Sequence, residues 1–102
     1  MNQFVLSPEA AQDLIGIWEY IAVDEIEAAD RLIAKLRDQM IALAKTPGLG
    51  HLREDLAEDR PLLFWPVGNY QIIYQFKTGP IEIVAVTHGM RDIPVFLEQR
   101  GL

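Results

Sequence analysis

Hydrophobic positions along this chain follow two rhythms, helical in the first half and strand-like in the second. A short apolar run, Phe4-Val5-Leu6, precedes Ser7-Pro8-Glu9. That triplet has the chemistry of a helix start. The serine hydroxyl can accept from a free first-turn amide, the proline's missing N–H costs nothing there, and the acid sits at the positive end of the helix dipole. Ala11, Leu14, Ile15, Trp18, Ile21 and Ala22 then fall on one helical face. Val23-Asp24-Glu25 interrupts the pattern, and Asp24 with Glu27 has the spacing of a capping box for a second helix. The buried stripe of that helix is Ala29, Leu32, Ile33, Leu36, Met40, Leu43 and Ala44, with Arg31, Lys35, Arg37 and Asp38 outside it. So short a connection predicts an antiparallel helical hairpin.

Thr46-Pro47-Gly48-Leu49-Gly50 ends the second helix. His51 to Pro61 is polar without a sustained period, and reads as a loop with room for one helical turn. Leu62-Leu63-Phe64-Trp65 is a strand candidate, followed by a tight turn at Pro66-Val67-Gly68-Asn69. The next strand alternates, with Tyr70, Ile72, Tyr74 and Phe76 on one face and Gln71, Ile73, Gln75 and Lys77 on the other. Lys77-Thr78-Gly79-Pro80 turns into a last strand, Ile81 to Thr87, and Ile93 to Arg100 forms a short helix ended by Gly101. The predicted fold is α+β: an N-terminal strand, an antiparallel helical hairpin, a three-stranded antiparallel meander forming one small sheet, and a short C-terminal helix. The helices are expected on one face of that sheet.

Composition narrows the classes of function. A length of 102 residues with half of them hydrophobic fits one folded domain spanning 1–102. The absence of cysteine excludes disulfides, thiolate metal sites and thiol catalysis, and fits a reducing compartment. No signal peptide is visible and no apolar run is long enough to span a membrane, so the cytoplasm is the expected location. The formal charge of −6 works against nucleic-acid binding, which rests largely on neutralising phosphates with basic side chains.

Candidate chemistry is sparse. His51 and His88 are too few and too far apart for a metal site, and no metal or other cofactor is expected. His88 has the titration range of a general acid or base, against a structural role at a strand end. Glu54, Asp55, Glu58 and Asp59 read as a solvated loop. Arg53, Arg60 and Arg91 are the best-placed cations. Arg91, just past the last strand and followed by Asp92, suits bidentate binding of a phosphate or carboxylate, or equally an internal pair with Asp92 or a loop acid. Trp65, Tyr70 and Tyr74 could stack on bases, although aromatics at alternating strand positions more often build a core.

Several segments together carry a resemblance. Phe4-x-Leu6-Ser7-Pro8-Glu9-Ala10, Asp13-Leu14 and Trp18-x-Tyr20-Ile21-Ala22 come first. Arg53-x-Asp55-Leu56, Phe64-x-Pro66-Val67-Gly68-Asn69-Tyr70-x-Ile72-x-Tyr74 and Val86-x-His88-Gly89-x-Arg91-Asp92 follow. In this order and spacing they resemble the ParE toxins of the RelE/ParE superfamily of type II toxin–antitoxin systems, over about residues 4 to 97. The resemblance implies a cytoplasmic bacterial toxin, linked to stress responses, that a ParD-like antitoxin holds inactive in a hetero-oligomer. Any DNA contact would then run through the antitoxin.

Two activities occur on this fold. RelE-like members are ribosome-dependent mRNA endonucleases that use arginine, lysine and tyrosine side chains without a metal. ParE-like members are not enzymes and poison DNA gyrase by contact. The nucleases typically carry an arginine four residues before the tyrosine that opens the central strand, which here is Pro66. They carry an arginine after the last strand, matched by Arg91, and a tyrosine six residues beyond it, which here is Leu97. Attack by a 2′-hydroxyl needs cationic stabilisation and a proton shuttle, and a proline and a leucine supply neither. The resemblance therefore implies a gyrase inhibitor with no catalytic residues. The alternatives are the RelE-like nuclease, or an inactive relative serving only as antitoxin partner and co-repressor. Arg53, Arg60, Tyr70, His88, Arg91 and Asp92 are the expected partner-binding residues. His88, Arg91 and Arg60 are expected together at the C-terminal end of the last strand, against a carboxylate-bearing partner segment.

Overall fold

The computed structural model describes residues 3–57, 60–76 and 78–102. The first strand, β1 (Phe4–Leu6), runs through Ser7 into α1 (Pro8–Ala22). The Ser7 hydroxyl oxygen accepts from the Ala10 amide at 3.0 Å and donates to the Val84 carbonyl at 3.4 Å, so the same residue starts the helix and ties it to the sheet. The inward stripe of α1 is Ala10, Leu14 and Ile17. It lies one position off the face expected around Ala11 and Ile15: Ala11 is only partly buried and Ile15 is exposed. The rotation follows from the anchoring of Ser7 on the sheet, which sets the phase of the helix that follows.

The second helix, α2 (Ile26–Lys45), begins at Glu25 and not at Asp24. The amides of Asp24 and Glu25 both bond back to the Ile21 carbonyl at 3.1 Å, so Asp24 still belongs to the closing turn of α1. The expected Asp24–Glu27 capping box does not form, and the Glu25 carboxylate binds Arg31 at 3.2 Å instead. The apolar stripe of α2 is as expected. Ala29, Leu36, Met40, Leu43 and Ala44 are buried, and Leu32 and Ile33 pack against the cluster that the last four help to build. Across the hairpin, the Trp18 indole N–H donates to the Asp30 carboxylate at 2.8 Å.

After a 3₁₀ turn at Pro47–Leu49, the chain forms a two-residue strand, β2 (His51–Leu52), and a one-turn helix, α3 (Glu54–Ala57). Then come β3 (Leu63–Val67), β4 (Tyr70–Gln75), β5 (Ile81–His88) and α4 (Ile93–Arg100). The antiparallel β3–β4–β5 meander agrees with the sequence reading, but the sheet is larger. It has five strands in the order β1-β5-β4-β3-β2, with β1 parallel to β5 and β2 antiparallel to β3.

Two turn details also differ. Pro66 and Val67 continue β3, and the turn falls at Gly68-Asn69, with Gly68 at φ 58°. A strand proline is tolerated here because β2 pairs only with Leu63 and Phe64, leaving Pro66 on the sheet margin where no ladder donor is needed. The expected turn at Lys77–Pro80 includes Lys77, which lies outside the described residues, as do Glu58 and Asp59 of the acidic loop.

Both faces of the sheet are covered. Val67, Ile72, Tyr74, Ile81, Ile83 and Val86 pack against α1 and α2. Phe64, Ile73, Val84 and Ala85 pack against Ala57 of α3 and Ile93, Phe96 and Leu97 of α4. The expectation of helices on one face fails because Ile73 and Val84 are apolar where a solvated face would carry polar residues. The pairing register skips Val84 between Ile83 and Ala85, so a bulge turns Val84 onto the second core. Helix α4 is as expected at both ends. The Asp92 carboxylate caps it by accepting from the Val95 amide at 3.3 Å, and Gly101 leaves it at φ 72°.

Candidate functional site

Where β5 outruns β1, a concavity of about 540 Å³ opens between α1 and the end of β5. Gln12, Asp13, Gly16, Ile17 and Tyr20 of α1 form one wall. Val86, Thr87 and His88 of β5, with Tyr70 of β4 and Arg91, form the other. Gly16 helps make the space, since a Cβ there would meet nothing within 4 Å. Tyr70 and His88 are cross-strand partners whose rings meet edge to face, with centroids 5.3 Å apart. The His88 Nδ1 accepts from the Met90 amide at 3.1 Å, and the His88 carbonyl accepts from the Arg91 amide at 3.1 Å. These contacts shape the turn that places Arg91 over the site.

Arg91 is held by stacking. Its guanidinium carbon lies 4.9 Å from the centroid of Phe96, and that of Arg100 lies 4.6 Å from the same ring. The two arginines differ in their charge partners. Arg100 binds the Asp13 carboxylate and also donates to the Val84 carbonyl at 3.4 Å. Among the described residues Arg91 has no acid within ion-pair distance. Asp92 is committed to capping α4, and Asp13 to Arg100 and the Val86 amide at 3.0 Å. An internal Arg91–Asp92 pair, one of the readings open from sequence, is therefore not formed.

The remaining candidates lie elsewhere. Arg53 grips Asp55 through two bonds of 2.9 and 2.7 Å at the exposed start of α3. That pair holds the Asp55 carboxyl below, and the Arg53 guanidinium above, their ordinary values. Arg60 precedes β3, whose first residue pairs with Tyr74, whereas Tyr70 and His88 pair at the opposite end of β4. Of the expected cluster, the structure joins Tyr70, His88 and Arg91 in one cleft, whose lining includes neither Arg53 nor Arg60. Asp92 contributes by fixing α4. Gln12, Asp13, Gly16, Ile17 and Tyr20 were not among the candidates, because only the packing of α1 beside β5 brings them to the site. The available signal was apolar residues off the predicted stripe, Ile17 and Tyr20, which the cleft takes up. Tyr20 is 79 % exposed, its ring at the wall of the cleft.

A second concavity of about 430 Å³, at the other end of the sheet around Lys45, Phe76 and Ile81, contains none of the candidate residues. Among the described residues no group of His, Asp and Glu side chains could hold a metal ion. No helix among them is long and apolar enough to cross a membrane.

The positions that the superfamily's nucleases use can now be placed. Pro66 is exposed on the sheet margin, and Leu97 is fully buried in the second core. The family model for the ParE toxin of the type II toxin-antitoxin system parDE matches residues 4–93. The chain belongs to the ParE toxin family. A solved structure described as a chromosomal ParDE TA system from P. aeruginosa shares this fold at a TM-score of 0.71, with 19 % sequence identity. The match covers 86 % of this chain and 96 % of that one. At that identity the likeness speaks for the fold of this ParE-family chain, and the family match speaks for its kinship. No curated protein sequence matches it significantly.

Proposed function

We propose that this ParE-family toxin acts by protein–protein contact, with DNA gyrase as its target, and that a ParD-like antitoxin neutralises it in the cytoplasm. On this reading it is not an enzyme. The observation that carries the proposal is that, among the described residues, Arg91 has neither an acid partner nor a proton-shuttling side chain in contact with it. Phosphodiester cleavage needs cationic stabilisation of the phosphate together with a proton shuttle. Arg100 is occupied by Asp13, Leu97 is sealed in the core, and Pro66 has no titratable group. A stacked guanidinium without an acid partner among the described residues, in a cleft walled by Ile17, Tyr20, Tyr70 and Val86, suits recognition of a peptide that carries both an apolar anchor and a carboxylate. The cleft, the exposed end of α1 and the β5 edge form one surface on which the antitoxin would seat such a segment. DNA would be reached only through the antitoxin.

Expression of the toxin without its antitoxin tests this. Filamentation with accumulated gyrase-linked DNA breaks is expected. Rapid mRNA cleavage on ribosomes would establish the nuclease instead, and growth unaffected by expression would mark an inactive relative.

A further inference from the structure

The outer edge of β5 can be accounted for group by group. The Ile83 carbonyl accepts from the Ser7 amide at 3.0 Å, continuing the parallel β1–β5 pairing. The Val84 carbonyl, turned outward by the bulge, accepts from the Ser7 hydroxyl and from Arg100, both at 3.4 Å. The Val86 amide donates to Asp13 at 3.0 Å, so it points away from β4. In an antiparallel pair, groups on alternate residues face the same side. The Val86 carbonyl and the His88 amide must then also point outward. The next bond toward β4, from the Gly89 amide to the Asn69 carbonyl at 2.8 Å, agrees with this phase. Residues 86–88 line the cleft, so these two main-chain groups face the space between α1 and the strand end.

One acceptor and one donor, on residues two apart, are what a single residue of a parallel strand engages: its N–H meets the first carbonyl and its C=O meets the second amide. We propose that an extended segment of the antitoxin pairs in parallel with β5 opposite Thr87, prolonging the line that β1 begins. The antiparallel alternative is closed, because Asp13 holds the Val86 amide and the Arg91 amide already occupies the His88 carbonyl. Asp13 and Arg100 thus separate β1 from the incoming strand and fix where pairing resumes. Arg91, at the same end and without an acid among the described residues, places the segment's carboxylate just beyond the paired residue. This inference rests on the reading that the cleft receives an antitoxin segment.

Amide hydrogen exchange, measured by NMR on the free chain and on its co-purified antitoxin complex, tests it. Exchange at His88 is expected to slow by at least about tenfold in the complex, while Val86 changes little because Asp13 already covers it. His88→Pro removes the outward N–H but also fixes φ and restricts Thr87. It is therefore compared with His88→Ala after unfolding and the hydrogen exchange of the β4–β5 ladder show that the strand is retained. It is then expected to weaken the complex about five- to tenfold more than His88→Ala, and equal affinities would overturn the pairing. A complex whose affinity depends on Arg91 but whose His88 amide exchanges as in the free chain would overturn the strand pairing while leaving the site's function intact. Failure to form any complex would overturn both.

Discussion

Asp13 and Arg100, 87 positions apart in the chain, form the most enclosed of the three ion pairs among the described residues. The pair joins the second turn of α1 to the last turn of α4, and each partner also holds a main-chain group of β5. Removing Asp13 strands both a guanidinium and a strand amide. Asp13→Ala is therefore expected to cost about 2–4 kcal/mol, and Arg100→Met about 1–3 kcal/mol, in urea unfolding. Because the two residues share one interaction, the double variant should cost less than the sum. Additive losses would show that the pair is incidental.

Tyr74 makes a second long-range tie. Its hydroxyl donates to the Pro47 carbonyl at 2.7 Å and accepts from the Gly50 amide at 2.8 Å, pinning the end of α2 to the central strand. Burial raises the phenol above its ordinary value of 10.0, with the Gly50 amide opposing to a smaller extent. The folded protein thus keeps a proton that the unfolded chain loses above about pH 10, and stability falls as pH rises through that range. Tyr74→Phe should cost about 1–2 kcal/mol at neutral pH and flatten the alkaline decline. Equal slopes for the two proteins above pH 10 would refute the assignment. Gly50→Ala should be worse than neutral at any pH, since its Cβ would overlap the Tyr74 ring, which is itself fully buried.

Gly16 separates stability from recognition. A helical glycine costs roughly 0.5–1 kcal/mol relative to alanine, and a Cβ at Gly16 meets no neighbour. Gly16→Ala should therefore raise stability by about that amount while narrowing the cleft and weakening the antitoxin complex. A variant that is stabilised and binds as before would remove this wall of α1 from the interface.

Arg91→Ala should do the reverse. With no ion pair among the described residues to lose, only the stacking on Phe96 goes, and thermal stability should fall by no more than about 1 kcal/mol. Loss of a charge-assisted contact should weaken antitoxin binding by roughly tenfold or more. Arg53→Ala should change neither stability nor binding, because its pair with Asp55 is exposed and local.

Much of this architecture was legible where capping chemistry and periodicity agreed. Ser7-Pro8, the stripe from Ala29 to Ala44, and Gly101 each marked an element correctly. β2 left no trace because His51 and Leu52 are exposed and pair along a margin too short to show alternation. The capping box failed because the backbone of Asp24 was still bonded to α1, which no side-chain pattern reveals. At the site, Tyr70, His88 and Arg91 were readable because the turn between β5 and α4 keeps two of them close in sequence. Asp13 and Gly16 were not, since their role depends on the angle at which α1 crosses β5.

On the proposed function, the toxin binds its target and does not cut RNA. Titration of the purified toxin, freed of antitoxin, into a DNA gyrase supercoiling assay separates contact inhibition from nuclease action. Loss of supercoiling with accumulation of cleaved gyrase–DNA complexes is expected, with full relief when antitoxin is added back. Undiminished supercoiling at excess toxin, together with mRNA cleavage on ribosomes by the same preparation, would contradict the proposed function.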